Sequence, residues 1–526
     1  MNEHKICFIT CTNDEILYEE CARYIRSLVI PKGYEIELIA VKGAKSMTEG
    51  YNHAMRQSNA KYKVYLHQDT YIINKSFVQN VVSLFLKYSN LGLLGVVGAK
   101  KVPPSGIWLK AKERYGTVYE TNENGTIDIS LTKEVNVDYE SAEYVNGLIM
   151  ITQYDLTWRD DLLNGWHMYD ASQCVEFLRE GYEVGIPSQH NPWVIHDCVS
   201  RNLEGYEQER LIFLKEYSKD IFPLVSVLIP AYNRPQMLEE AIKSVLNQTY
   251  INIEIIVSDD STNNEVGEML SYYLSNHLNI KYYKNDEPYG SENFGKCLNK
   301  ASGKYISYLM DDDLYHSEKI EKMVSYLEEY QDVTLVTSYR ELIDDYGRRI
   351  PDSSINQKIF SEDTIINGID AGNFMLKKIY NFIGEPTTTM FRKQDLDKNF
   401  GWYKGKKIRF INDVATWINL LRKGKLVYIS EPLSYFRQHE GQNQGKLDYL
   451  KFSIEGWLNM IVASREDGFL LSQNEFKTAL KEVYKLALHA QRKFVEQDRY
   501  DLLEETDFQI SLKNLYKQLE ITFALS

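Results

Sequence analysis

Cysteine is scarce. The chain of 526 residues has six cysteines (Cys7, Cys11, Cys21, Cys174, Cys198 and Cys297), scattered and never in a Cys-x-x-Cys pair. That spacing excludes a zinc ribbon, a dithiol redox centre and a disulfide framework, and points to reduced thiols in a cytoplasmic protein. No run of eighteen apolar residues occurs, so no bilayer-spanning helix is expected. The opening residues, MNEHKICFITCTNDEI, hold only a short apolar run leading into acidic residues, unlike a secretory signal. Lys/Arg-rich runs are also missing, and the net charge is −14. Nucleic acid is therefore not an expected partner, and only a small basic patch is left to support a peripheral membrane contact. Proline disappears after Pro432, and after Gly445 only Gly456 and Gly468 remain. With both breakers nearly gone, residues 446–526 read as a small helical domain. Phe476, Leu480, Val483, Tyr484 and Ala487 line one helix face, suited to packing or to pairing with a second copy.

Before residue 446 the pattern is different. Strand-like and helix-like segments alternate, as in α/β proteins, and the length suggests two to four domains. LVSVLIP (224–230) is a β-branched run stopped by Pro230. Leu238, Ala241, Ile242, Val245 and Leu246 then mark one face of a helix, with Pro235 in its first turn. IEIIVSDDS (253–261) and KYISYLM (304–310) are further strands, each running into aspartates. The first 220 residues repeat the theme with KICFITC, EIELIAV and YKVYLHQD. A shift of 243 positions lays AKYKVYLHQD over GKYISYLMDD, and a shift of 220 lays ICFITCTN over SVLIPAYN. Two matches in the same order, both at strand ends, favour duplication of one fold. Polar residues at strand C-termini lie along the sheet edge where open α/β sheets bind ligands. The triplet Asp311-Asp312-Asp313 there reads either as a solvated turn with a helix start or as a divalent-cation site.

The segments VSVLIPAYNRPQMLEEAIKSVLNQTYINIEIIVSDDST, YGSENFGKCLNKASGKYISYLMDDDLYHSEKI and FINDVATWINLLRKGKLVYISEPLSYFRQHEGQ resemble the family-2 inverting glycosyltransferases of the GT-A fold. The resemblance implies a nucleotide-sugar donor and Mn²⁺ or Mg²⁺ at its diphosphate. On it, Asp312 holds the metal, His439 completes the metal site or touches the diphosphate, and Asp311 contacts the ribose or the metal shell. Pro230, Tyr232 and Asn233 line the base, Asp260 accepts from uracil of a UDP-sugar, Asn293 lies near the donor, and Arg437 contacts a phosphate. Asp413 of the Ile-Asn-Asp segment is the candidate general base and, opening the helix that follows, can serve as its cap as well. Glu292 departs from the family, where Arg is common, and the Gln-x-x-Arg-Trp motif of processive synthases is absent.

YLHQDTYI, YVNGLIMI, GWHMYDASQC and PWVIHD resemble a streptococcal-type branch of GT-A enzymes. On that likeness Asp69 and His196 are metal ligands, with Gln68 in place of the first Asp, and Asp170 is the base. Thr10, Asn13 and Asn52 approach the nucleotide. No aspartate matches Asp260. The expected architecture is two GT-A (Rossmann-like) domains in tandem, 1–222 and 223–445, followed by the helical domain 446–526. The expected function is a bifunctional transferase acting on a glycan or glycoprotein acceptor in bacterial surface-glycan or protein glycosylation. The alternatives are one live module beside an acceptor-binding or scaffold module, and a non-catalytic sugar-nucleotide binder. A nucleotidyltransferase would need a Gly-rich loop after the first strand, and PAYNRPQ has no glycine.

Overall fold

The computed structural model describes residues 1–121, 126–130, 132–198, 203–439 and 447–524. The expected boundary at 445/446 lies outside the described residues. The chain forms two compact units, Met1–Phe222 and Pro223–Ser526.

The first unit is built on a seven-stranded sheet ordered Tyr139–Ser141, Glu183–Pro187, Leu91–Gly95, Ile149–Thr152, Ala60–Leu66, Asn2–Thr12, Glu35–Lys42. Asn2–Thr12 runs parallel to both its neighbours. Ile149–Thr152 is antiparallel between Ala60–Leu66 and Leu91–Gly95. Ile6, Cys7, Phe8 and Ile9 are buried in succession, as expected of a parallel strand covered on both faces. Asp14 ends this strand's loop and caps helix Glu15–Arg26, accepting from the Ile16 and Leu17 N–H groups.

The second unit's sheet begins Ile280–Lys284, Ile253–Asp259, Val225–Ala231, Tyr305–Tyr308, Met390–Arg392, Val333–Ile343, Lys425–Arg437. Its first three neighbour pairs are parallel, Met390–Arg392 is antiparallel to both its neighbours, and Val333–Ile343 is parallel to Lys425–Arg437. Removing the edge strand Ile280–Lys284 leaves the topology of the first unit: second strand, first, third, an antiparallel strand, then a parallel pair. The repeat read from two short matches thus extends through the sheet. In the repeat, helix Tyr169–Arg179, before the last parallel strand Glu183–Pro187, is the equivalent of helix Asn412–Leu421, before Lys425–Arg437.

Helices Leu450–Ser464, Gln473–Glu496 and Thr506–Ala524 pack together within the second unit. Phe476, Leu480, Val483 and Ala487 are buried on the expected face and share one apolar cluster with Met375 of helix Gly368–Lys378, Trp417 of helix Asn412–Leu421 and Phe391 of the sheet. Among the described residues, no helix is long and apolar enough to cross a membrane. All six cysteines are free thiols.

Candidate active site

In the second unit the site grows from the ends of adjacent strands. Val225–Ala231 runs into Tyr232, Asn233 and Arg234 before helix Pro235–Leu246. Asn233 adopts a left-handed φ of 53°, which Asn tolerates better than most residues. Its N–H donates to Ser261 Oγ (2.8 Å), and its side chain accepts from the Thr262 N–H (3.0 Å), tying the ends of the first and second strands. Tyr232 is 48% exposed, while its N–H donates to Asp311 Oδ2 (2.8 Å). Pro230 is buried inside the sheet, so it shapes the strand and offers no surface to a base.

The triplet divides its tasks. Asp311 and Asp312 share one cation: Arg234 Nη1 donates to Asp311 Oδ1 (3.0 Å) and Asp312 Oδ2 (2.8 Å). His439 Nε2 lies 2.9 Å from the same Asp312 oxygen. Asp313 turns inward and accepts from Thr387 Oγ1 (2.6 Å) and the Arg437 N–H (3.0 Å). Burial first, then the neighbouring Asp312 charge, pushes the carboxyls of Asp311 and Asp313 above the usual range. A solvated turn does not describe three carboxylates that are all buried. The carboxylate and imidazole donors suit a divalent ion, and Asp311, Asp312 and His439 would hold it in place of the Arg234 guanidinium.

Arg437 corrects an expectation. It is fully buried, and its guanidinium donates to the carbonyls of Asp312, Asp344 and Asp345 and to Glu240. It braces the carboxylate loop and does not reach out for a phosphate. Asn293 is also structural: buried, it donates to the Ser258 carbonyl and accepts from Asn285. Asp260 accepts from Asn285 Nδ2 (2.7 Å) and from the Tyr289 and Gly290 N–H groups, so it already orders the 285–290 loop. Asp259 is fully buried and accepts from Ser261, Tyr282 and Lys284. Glu292 pairs with Lys407 on the surface.

Asp413 lies in the first turn of helix Asn412–Leu421, whose N-cap is Ile411, so it is not the cap. Its Oδ1 accepts from the Val414 N–H (2.7 Å) and its Oδ2 from Asn381 Nδ2 (2.9 Å). Burial, with the Glu385 charge adding to it against the Val414 hydrogen bond, pushes the carboxyl up to about 6. Glu385 also feels the charge of Asp312, which places Asp413 in the same electrostatic neighbourhood as the triplet.

The first unit repeats this plan with different groups. Gln68 Oε1 accepts from the N–H groups of Asn13 and Asp14 and from Thr12 Oγ1, bracing the loop as Asp311 does from Tyr232. Asn13 is exposed beside it and accepts from Gln68 Nε2 (2.7 Å). Asp69 and His196 lie together, with His196 Nε2 3.6 Å from Asp69 Oδ1. His67 joins them, its Nδ1 3.9 Å from the same oxygen. Burial, and then repulsion from His196, holds the His67 imidazole well below its ordinary pKa. Asp170 has Oδ1 on the Ala171 N–H (2.8 Å), mirroring Asp413 on Val414, but its Oδ2 accepts both Tyr144 Oη (2.6 Å) and the Gly147 N–H (2.9 Å). Thr10 and Asn52 are buried, and Asn52 pairs its amide with the Trp158 backbone in both directions. They hold the fold beneath the site and do not face a nucleotide.

Sequence reasoning missed Arg234, Glu385 and His67. Arg234 and His67 stand inside the quoted motifs. His67 was hidden because the internal repeat lays it over Met310, an apolar residue, and Arg234 because an arginine before a helix carries no signal of its own.

Two family models match the chain: "Glycosyltransferase like family" over residues 7–217 and "Glycosyl transferase family 2" over residues 226–400. An uncharacterized glycosyltransferase of Rickettsia conorii is 31% identical over 254 residues, 48% of this chain and 39% of the relative. One from Haemophilus influenzae is 31% identical over 224 residues, 42% of this chain and 67% of the relative. The chain spans about two fifths of the length of the Rickettsia conorii relative. Among solved structures, S. aureus TarS 1–349 in complex with UDP-GlcNAc is similar at 16% identity, with a TM-score of 0.41, over 57% of this chain and 81% of that one. At that score the likeness carries no weight in assigning the site. The chain belongs to glycosyltransferase family 2 and carries two glycosyltransferase-type domains in tandem.

Proposed function

We propose that the chain is a metal-dependent inverting glycosyltransferase with two donor sites, one in each of the modules 1–222 and 223–445, followed by the helical module 446–526. The donors are nucleotide sugars, a UDP-sugar in the second module, and the acceptor is a glycan or glycoprotein of a bacterial surface pathway. The observation that carries this reading is Asp413. Its basicity is raised to about 6 beside the acidic strand end. A carboxylate of that basicity suits taking a proton from an acceptor hydroxyl near neutral pH. Asn381 and Val414 hold both its oxygens in place. Tyr232 offers an open ring for stacking, and Asp260 and Asn233 fix the loops around it. Mn²⁺ or Mg²⁺, when bound, neutralises the departing diphosphate. Asp413→Asn keeps the shape and removes the base. Transfer should fall about 100-fold or more with donor affinity nearly unchanged. Wild-type turnover in that variant would move the base elsewhere.

A second reading, one live module and one acceptor-binding or scaffold module, is favoured by a specific difference. Asp170 Oδ2 accepts two hydrogen bonds where Asp413 Oδ2 accepts one from a neutral amide. With two donors on that oxygen and one on the other, Asp170 has less acceptor capacity left for a substrate hydroxyl.

A further inference from the structure

The C-terminal helices reach the segment that leads into Asp413. Trp402–Tyr403 and Lys406–Lys407 pair as a hairpin across Lys404 and Gly405, both left-handed, as a two-residue hairpin turn requires. Residues 408–411 then run into helix Asn412–Leu421. The N-cap of that helix is Ile411, whose side chain can accept no hydrogen bond. The start of the helix therefore depends on what holds the residues before it.

Phe410 makes the last turn with φ at 68°. A bulky residue is an outlier there, and such a conformation persists only where its surroundings over-determine it. Burial does not account for it, because Phe410 is 37% exposed. Its ring lies flat on Tyr449, which opens helix Leu450–Ser464, with centroids 4.7 Å apart and planes at 6°. Arg409 donates to Glu455 Oε2 (2.8 Å) of that helix and to Asp507 Oδ2 (3.3 Å) of helix Thr506–Ala524. Ile411 rests on the first of these helices at Gly456, where a Cβ would stand 2.8 Å from Ile411 Cδ1. That close approach gives a reason for one of the two glycines left after Gly445. At the hairpin, Tyr403 Oη donates to Asp467 Oδ2 (2.6 Å), and Lys404 Nζ lies 2.8 Å from Asp467 Oδ1.

We propose that the C-terminal helices are part of the second active site. They hold residues 403–411 in the form that places the Asp413 carboxylate, with Phe410 as the positioning residue and Tyr449 as its clamp. Phe410 acts through Asp413 and need touch no substrate. The catalytic meaning of this placement rests on the reading of Asp413 as the base. The fastening itself does not, so wild-type turnover in Asp413→Asn would defeat that reading and leave the clamp standing.

The test reads Asp413 through its linkage to folding, by thermal melts of the full chain from about pH 4 to 7 with no ligand added. In the wild-type background Asp413→Asn should flatten the pH slope, because burial raises the carboxyl, with Glu385 the charged neighbour that adds to the shift. In Tyr449→Ala the clamp is gone and the carboxyl meets water. Adding Asp413→Asn there should remove about half as much slope or less. Tyr449→Phe keeps the ring and should keep the full wild-type difference. Phe410→Gly removes the stack but relieves the left-handed strain, so it should lose the linkage without melting early, and it serves if Tyr449→Ala does not fold. A role confined to stability would lower the melting temperature at every pH and leave the Asp413-dependent slope intact. An intact slope in either variant, its loss in Tyr449→Phe, or its absence from wild type overturns the proposal.

Discussion

At the level of single side chains, Asp413 gives two pH effects from one carboxyl. Its folded pKa of about 6 lies above the ordinary 3.8, because burial disfavours the charge. As a base it works ionised, so transfer by the second module should rise with pH through about 6, tenfold per unit below that value. Stability runs the other way. Between about pH 4 and 6 the native state binds the proton more tightly than the unfolded chain does. The contribution is therefore complete below about 4 and lost as pH rises through 6. Thermal melts from pH 4 to 7 should show this slope, and Asp413→Asn should flatten it. Arg234 makes a separate prediction. Removing it takes the guanidinium from buried Asp311 and leaves buried Asp312 with His439, so Arg234→Gln should cost about 3 kcal/mol in chelator. Mn²⁺ should recover more stability in that variant than in wild type. Equal metal-induced shifts in the two proteins would mean that the ion does not share the place of Arg234.

At the level of elements, most of the pattern was legible. Leu238, Ala241, Ile242 and Val245 are buried on one helix face, as are Ile320, Met323, Val324 and Leu327. These are local periodicities, and burying an apolar stripe leaves a helix few ways to turn. The attachment of the C-terminal helices was not legible, because it depends on close approach between distant segments. Gly372, in helix Gly368–Lys378, faces the Phe469 ring so closely that a Cβ there would stand 2.3 Å from it. Gly372→Ala should therefore destabilise the second unit by about 1–3 kcal/mol, read as a lower midpoint in urea. An unchanged midpoint would show that the helices slide to accommodate the methyl group.

At the level of the whole molecule, the matching topologies set Asp170 and Asp413 in equivalent helices, one per unit. If both are bases for separate transfers, Asp170→Asn and Asp413→Asn should block different steps. One variant leaves the acceptor unmodified and the other stops at a shorter product. Mixing the two restores the final product, as mass spectrometry of the acceptor would show. An Asp170→Asn chain whose products all match wild type selects the single-module reading.

The sequence by itself determined the alternation of strands and helices, the repeat, and the strand-end carboxylates. Each rests on residues close together in the chain, where periodicity and turn chemistry act. Only the tertiary structure decided what those side chains face. Arg437, Asn293, Asn52 and Thr10 sat in the right motifs and turned inward, because buried backbone carbonyls and amides needed their partners or the sheet needed their volume. His67 and His196 are 129 positions apart in sequence and meet only because strand Val194–His196 pairs with Thr70–Ile72, just after His67. Their proximity depends on distances between side chains far apart in the chain, which no local pattern encodes.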